Sequence, residues 1–382
     1  MKSLTAVARK WGVLAGALAI AAFGVSAAAT AATSVTSADP LPAVDPNLLP
    51  PKGSPLFTAT TGPLYTAPTS KGKMALPYEK VFPLPAGPVG SPKKTYTFCF
   101  SQALTGSTWA VAQADSVKLE AAKHPNVKVL YYNTNNDPLK QVADLDTCLA
   151  QKVDGILVWP HSVAPLTPEI QKIYKAGVTV VGMERTVATS DYSTWIYLDN
   201  PTATGDLAKA VCTKLGNKGT VVETDGALGS SPQILRRVGF ADGIKKYCPA
   251  VKIAYSQPTD YSRGQGYKVA LDYLQAHKND HIGAWYTQYT EIGFGVEQAL
   301  KDYKRTDIPQ FSIVDGKVAT QAVLDGTFYA IAPWTPVHGD VALRAAIYNV
   351  TGKKVPKAIS LVQPALIDKS NAASQLKTTW PG

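Results

Sequence analysis

Two adjacent opposite charges, Glu184 and Arg185, close the apolar run 178–181 of the stretch Ala176-Gly177-Val178-Thr179-Val180-Val181-Gly182-Met183. A fork of hydrogen-bond acceptors beside a fork of donors suits hydroxyl groups or a small polar molecule. The run before them is short and β-branched, which predicts a strand of a sheet covered on both faces. Ligands of open parallel sheets collect just beyond the carboxyl ends of the strands, and this pair falls there. The competing reading is a structural ion pair at a strand end, and the rest of the chain decides between the two.

Other chemistry lacks its motifs. There is no Gly-x-Ser-x-Gly elbow and no Walker loop. Gly264-Gln265-Gly266 and Gly293-Phe294-Gly295 lack a third glycine and read as turns or packing sites. Paired acids could in principle act on a glycoside, but nothing else supports catalysis, so neither an enzyme nor a cofactor is expected. His124, His161, His277, His281 and His338 are dispersed and no Cys-x-x-Cys occurs, so no metal site is expected either.

The elements that must position Glu184 and Arg185 follow from the whole chain. At 382 residues, 45% hydrophobic and 17% charged, it is globular and long enough for two lobes. Residues 1–33 read as a signal peptide: Lys2, Arg9 and Lys10, then an apolar stretch at 11–25, then small residues. No other stretch approaches spanning length and no cysteine near the cleavage zone could carry a lipid, so a soluble, exported, periplasmic protein is expected. The formal charge of +10 invites a nucleic-acid reading, but the basic residues are scattered without a basic run, which argues against that partner. Cys99, Cys148, Cys212 and Cys248 allow three pairings or free thiols. The pairs Cys99–Cys148 and Cys212–Cys248 would each stay within one half of the chain.

Residues 34–94 hold nearly half of the 28 prolines. They form a Pro-rich N-terminal extension, expected to be extended and partly packed through Leu56, Phe57, Tyr65, Tyr78 and Phe82. From residue 95 strands and helices alternate. The strands are expected at 96–101, 127–132, 155–159, 178–183 and 194–198. The helices between them are expected at 109–123, 139–151 and 168–176, the last opened by Pro168. Asp199-Asn200-Pro201 then caps a helix at 202–215. A second alternation has strands at 220–224, 251–256, 284–287, 311–314 and 328–332. Its helices are at 233–247, 263–276, 292–303 and 319–324. A last helix at 340–350 and a strand-like run at 359–367 end the chain. This is an α/β chain of two doubly wound, Rossmann-like lobes with a cleft between them, the preferred place for a ligand.

From about Thr95 onward the chain resembles the periplasmic substrate-binding proteins of the ribose or simple-sugar type, which have the type I periplasmic-binding-protein fold. The marks, in order, are Tyr132-Asn133-Thr134-Asn135-Asn136-Asp137, Val153-Asp154-Gly155-Ile156-Leu157-Val158, Ala176-Gly177-Val178 leading to Glu184-Arg185, and Leu198-Asp199-Asn200. Arg236-Arg237-Val238-Gly239-Phe240, Ser256-Gln257-Pro258 and Val314-Asp315-Gly316 follow. The resemblance implies lobes of 95–198 plus 334–362 and 199–333 plus 363–382, with a hinge at Asp199, Asn200, Pro333 and Gln363. It implies ligand contacts from Ser107, Trp109, Glu184, Arg185, Arg236, Tyr261, Tyr289, Asp315 and Trp334. Trp109 would stack on a sugar ring, and Glu184 and Asp315 would accept from hydroxyls. Tyr289 and Trp334 stand near a family Asn and Gln, which argues against ribose itself.

The implied function is capture of a sugar, polyol or related compound for an ABC permease, by a monomer without cofactor. A ligand sensor docking on a chemoreceptor or sensor kinase, and a binder of a non-sugar aromatic molecule, are the alternatives. A repressor would need a helix-turn-helix where the proline-rich segment stands.

Overall fold

Along the strands, side chains alternate between two cores. In the computed structural model, which describes residues 41, 44–59, 76–314 and 316–380, Phe98, Phe100, Leu157, Val181 and Met183 belong to one core and Cys99, Ile156, Val158 and Val180 to another. Burial on both sides with a period of two is what a parallel sheet between helices requires. The expected signal peptide, Tyr65 and Asp315 lie outside the described residues.

The strands are β1 (Leu56–Thr58), β2 (Tyr96–Gln102), β3 (Val127–Asn133), β4 (Gly155–Trp159), β5 (Thr179–Glu184), β6 (Thr194–Leu198) and β7 (Gly219–Asp225). They continue with β8 (Val251–Pro258), β9 (Ala284–Thr287), β10 (Gln310–Ile313), β11 (Ala330–Ala332), β12 (Ala358–Val362) and β13 (Ile367–Asp368). The helices are α1 (Thr108–Ala121), α2 (Pro138–Ala150), α3 (Val163–Lys175), α4 (Asn200–Leu215) and α5 (Ser231–Tyr247). After them come α6 (Arg263–Ala276), α7 (Thr290–Asp302), α8 (Lys317–Asp325), α9 (Gly339–Val350) and α10 (Ala372–Gln375). Among the described residues one sheet runs β1-β12-β6-β5-β4-β2-β3 and the other β13-β11-β10-β9-β7-β8. All pairings are parallel except that of β11 with β13.

The chain crosses between the sheets at 199–200, 333–338 and 363–366. The first crossing is fixed by chemistry: the Asp199 carboxylate caps α4 by accepting from the Thr202 amide at 3.0 Å, and Pro201 occupies the first turn. The other two are tied together, because the Gln363 side-chain oxygen accepts from the Thr335 amide at 3.1 Å. Each lobe carries one disulfide, Cys99–Cys148 holding α2 to β2 and Cys212–Cys248 holding α4 to the end of α5. By loop-closure entropy each is worth about 4 kcal/mol. The Gly-x-Gly segments are packing sites: side chains on Gly266 and Gly295 would run into Ile292 and the Arg263 carbonyl where α6 crosses α7.

Three elements differ from expectation. Helix α3 starts at Val163, so Pro168 lies inside it instead of opening it. Pro165 falls in the first turn, where its missing N–H has no helical partner to lose, and Pro168 removes a single internal hydrogen bond. The strand-like run 359–367 is two strands, because β12 belongs to the first sheet and β13 to the second. The proline-rich extension is also more than an extended tail: it forms a short 3-10 turn at Pro46–Leu48 and adds β1 to the edge of the first sheet. That edge position tolerates Pro55, whose carbonyl accepts from the Ser360 amide at 2.9 Å.

The second part of the extension is held from inside the lobe. Arg344, buried on α9, donates from Nε to the Val81 carbonyl and from Nη2 to the Tyr78 carbonyl, both at 2.9 Å. Its Nη1 meets Glu120 at 3.0 Å and Asp340 at 2.8 Å. Breaking a buried ion pair by removing one partner costs about 3–5 kcal/mol. Arg344→Leu is therefore expected to lower the stability of the first lobe by that amount in urea unfolding, since two buried carboxylates and two carbonyls lose their donor. A change under about 1 kcal/mol would mean that the extension is held by its apolar contacts instead.

Candidate functional site

The carboxyl ends of both sheets open on one cavity of about 630 Å³ between the lobes, the position favoured for small-molecule sites. At its floor β4 ends on Trp159 and β5 ends on Glu184, while the crossing after β11 begins with Pro333 and Trp334. Glu184 adopts a left-handed conformation, φ 58°, uncommon for a residue with a side chain. The residue is 4% exposed and both carboxylate oxygens are engaged, Oε2 accepting from Trp159 Nε1 at 2.7 Å and Oε1 from Trp334 Nε1 at 3.0 Å. Hydrogen bonds to a charged acceptor are the strong kind.

Two buried guanidiniums flank that carboxylate. Arg185 Nε and Arg236 Nη2 each lie 3.8 Å from it. Arg185 sits 4.7 Å from the Trp159 ring centroid and 5.3 Å from that of Tyr261, and donates to the His161 carbonyl at 2.8 Å. Burial lowers its pKa, but a guanidinium keeps its proton. Arg185 Nε has no hydrogen-bond partner among the described residues. Arg236 packs 4.8 Å from the Trp334 ring and donates to Asn200 Oδ1 at 2.8 Å and to the Gln288 carbonyl at 2.6 Å. Asn200 belongs to the first crossing and Trp334 to the second, so Arg236 touches both.

The walls come from local backbone chemistry. Asp260 and Tyr261 are both left-handed, φ 51° and 57°, which turns the Tyr261 ring over Gly226, where any side chain would collide with it. Tyr289, at the start of α7, has its pKa pushed up to about 12 by burial, and a hydrogen bond with Ser107 from the other lobe pulls it the other way. His161 is held neutral, its pKa lowered to about 4 by burial and by Arg185, and its Nε2 faces Asn136 Oδ1 at 3.0 Å. The lobes also meet directly: the Val163 amide donates to the Gly229 carbonyl at 2.9 Å and the Thr186 amide to Ser231 Oγ at 2.7 Å.

Behind the second lobe's wall lies a buried acid pair. Gln288 donates to Glu223 at 3.1 Å and accepts from the Gly226 amide at 3.0 Å. Burial and then the neighbouring Asp225 raise the Glu223 pKa well above the ordinary value, so the pair keeps a proton.

Of the residues expected to contact ligand, Ser107, Trp109, Glu184, Arg185, Arg236, Tyr261, Tyr289 and Trp334 line the cavity. Asp315 lies outside the described residues, although its neighbour Val314 lines the cavity with φ 82°. Trp109 is closely packed within the wall. It packs on Trp159 at 5.0 Å and His338 at 5.8 Å, donates to the Trp334 carbonyl at 2.9 Å, and is 5% exposed. It forms part of the cavity wall and is braced there by other rings. Asp199, Asn200, Pro333 and Gln363 lie at the crossings. Sequence reasoning missed Trp159, which ends its strand as Glu184 ends the next one, so the strand-end rule could have found it. It also missed Asp260, Arg263 and Glu291 at the mouth, for which no local signal exists. Among the described residues no cluster of metal-binding side chains occurs.

Two lobes joined by three crossings around a lined interlobe cavity define a ligand-binding protein that works across a cleft. Residues 98–354 match the periplasmic binding protein domain family, and the chain belongs to it. The chain is 27% identical over 270 residues to the ribose import binding protein of Bacillus subtilis, covering 70% of this chain and 86% of that one. It is 26% identical over 246 residues to the xylitol-binding protein of Mycolicibacterium smegmatis, covering 64% and 70%. A Mycobacterium smegmatis structure in complex with β-D-fucofuranose superposes with a TM-score of 0.68 at 26% identity, covering 74% of this chain and 94% of that one. The fold is thus the type I periplasmic-binding-protein fold, and family members are binding proteins.

Two predictions follow from this geometry. Glutamine offers one acceptor oxygen and one NH₂ where two indole N–H groups need two acceptors, so Glu184→Gln is expected to cost about 1–3 kcal/mol in chemical denaturation; an unchanged midpoint would remove the carboxylate from its central place. The second concerns Glu223, which holds its proton more tightly in the folded chain than in the unfolded one. Folding therefore takes up a proton above the ordinary carboxyl value of 4.5, and stability falls as pH rises from there. The stability of Glu223→Gln relative to the parent protein should grow as pH rises above the ordinary carboxyl value of 4.5, and a pH-independent difference would contradict the buried proton.

Proposed function

We propose that this chain is the solute-capturing component of an ABC importer, taking a sugar or polyol into the interlobe cavity and presenting the closed form to a membrane permease. The observation that carries the reading is the convergence of Arg185 from one lobe with Arg236 and Tyr261 from the other on a single cavity at the crossings. A ligand that touches both lobes is bound better by the closed state and so shifts the population towards it. Arg185 and Arg236 donate to its hydroxyls, Asp315 accepts from them, and Glu184 acts as the counter-charge that fixes both guanidiniums. The buried indoles and Tyr261 exclude water and strengthen each polar contact.

The relatives are proteins for ribose and xylitol, which supports a polyhydroxylated ligand. The same reading makes the protein exported and periplasmic, monomeric, without nucleic acid or cofactor, and non-catalytic. Among the described residues no helix is long and apolar enough to cross a membrane. The residues at 199–200, 333 and 363 serve as the hinge.

A thermal-shift screen of the mature protein against pentoses, hexoses and polyols tests this. A ligand at a hundred times its dissociation constant should stabilise the fold by about 2.7 kcal/mol. That shift should vanish in Arg236→Lys and Asp315→Asn, which keep the charge or the shape but not the bonding. Stabilisation by aromatic acids alone, or a sugar shift indifferent to both substitutions, would remove the cavity from this role.

A further inference from the structure

Beneath the ligand-facing wall of the second lobe lies a polar cluster for which ligand contact gives no reason. Glu223 and Asp225 are two residues apart on β7 and so project from the same face of the strand. They are 1% and 0% exposed, and their carboxyl groups are hydrogen-bonded to each other. Two carboxyl groups in contact away from water cannot both be charged, so a proton is held between them. Facing the pair are Ser256 from β8, Tyr286 from β9, and Gln233 and Arg237 from α5. Arg237 favours the charged forms, but burial outweighs it. The Tyr286 hydroxyl has no hydrogen-bond partner among the described residues, so it does not stand in for the shared proton.

The cluster holds the loops that reach the cavity. Asp225 accepts from Ser256 Oγ at 2.7 Å and from Gln233 Nε2 at 2.9 Å, and Glu223 accepts from Gln288 Nε2 at 3.1 Å. The carbonyls of Asp225 and Gly226 accept from the Thr259 hydroxyl and amide, which anchors the turn that carries Tyr261. Gln288 accepts from Arg236 with its carbonyl, and with its side chain from the Gly226 amide beneath the Tyr261 ring. Arg236 and Tyr261 are thus tied to the acid pair through short chains of hydrogen bonds. The first lobe presses on the same loops from the other side. The Val163 amide reaches Gly229, the Thr186 amide reaches Ser231, and Arg185 lies against the Tyr261 ring. Lobes that are together therefore clamp these loops over the pair and shut it off from water, which favours its protonated form.

We infer that Glu223 and Asp225 are positioning residues for the ligand, and that closing the lobes on a ligand takes up a proton at this pair. This rests on the proposed sugar-binding reading and adds regulation of the same site by pH. The closed state holds the proton more tightly than the open one. Affinity is therefore full while both states keep the proton, and falls as pH rises past the point where the open state loses it. Of the groups at the cavity, His161 titrates below that range, at about 4, and Tyr289 above it, at about 12.

The test is isothermal titration of the mature protein with D-ribose, D-xylose, L-arabinose, D-galactose, D-fructose and xylitol. It is repeated as pH is raised stepwise from the ordinary carboxyl value of 4.5, and in buffers of different ionisation heat, which count the protons exchanged. The parent protein is expected to take up protons on binding and to lose affinity by up to about tenfold per pH unit, the limit for one linked proton. Glu223→Gln keeps a donor for Asp225 and an acceptor for Gln288 but has no proton to lose, so its affinity should not vary with pH and its binding should take up no proton. Asp225→Asn lacks one of the acceptors that Ser256, Gln233 and Glu223 share, and should bind more weakly at every pH. The same pH profile in the parent and in Glu223→Gln, or binding by the parent without proton uptake, overturns the proton link while the sugar-binding reading stands. Undiminished affinity in Asp225→Asn overturns the positioning role. Binding of none of these compounds overturns the inference together with the reading beneath it.

Discussion

A carboxylate out of water has to be compensated, and at the centre of this protein the compensation comes from four directions. Trp159 and Trp334 give Glu184 an indole N–H on each oxygen, and Arg185 and Arg236 bring a positive charge to either side. An isolated buried carboxylate would cost several kcal/mol, so each partner is constrained by the others. Trp159 fixes the end of β4, Glu184 and Arg185 the end of β5, Arg236 a position on α5, and Trp334 the crossing that follows β11. A single charge therefore registers two strands of one lobe, a helix of the other and a segment that runs between them.

That arrangement gives the cleft its character. The guanidiniums are held in place before any ligand arrives, by carbonyls, by Asn200 and by aromatic faces, so a ligand need not spend its own binding energy ordering them. Because Asn200 and Trp334 sit in two of the three crossings, the groups that line the cavity are continuous with the segments that join the lobes. Under the proposed function, binding and closure would share the same side chains, which is the coupling a capture protein requires.

The N-terminal extension shows a second buried charge at work. Arg344 satisfies two main-chain carbonyls of the extension and two carboxylates of the lobe at once. A segment rich in prolines, which supply no amide donors, is thereby fixed in part by hydrogen bonds to the Tyr78 and Val81 carbonyls. Its three-residue strand β1 then occupies the edge of the first sheet next to β12, where few donors are needed.

Much was legible in the sequence because it depends on neighbours along the chain. Alternating apolar residues in the strands, Asp199 and Pro201 at the head of α4, and the charged pair after β5 are local patterns with local causes, and they fix the α/β class, the order of elements and the position of Glu184 and Arg185. Tertiary structure decided what those residues do. Trp334 lies 150 residues from the carboxylate it grips, and Trp109 lies 225 residues from the carbonyl it reaches. No spacing rule covers such distances, which is why the partners that hold Glu184 and Trp109 cannot be read from the sequence. The run 359–367 was misjudged for the same reason: a strand former is satisfied by either sheet, and only the positions of β6 and β11 divide it between them. Sequence determined which groups are available, since backbone propensity and period act over a few residues. The fold determined which groups remain unpaired, since hydrogen bonds and burial act through space.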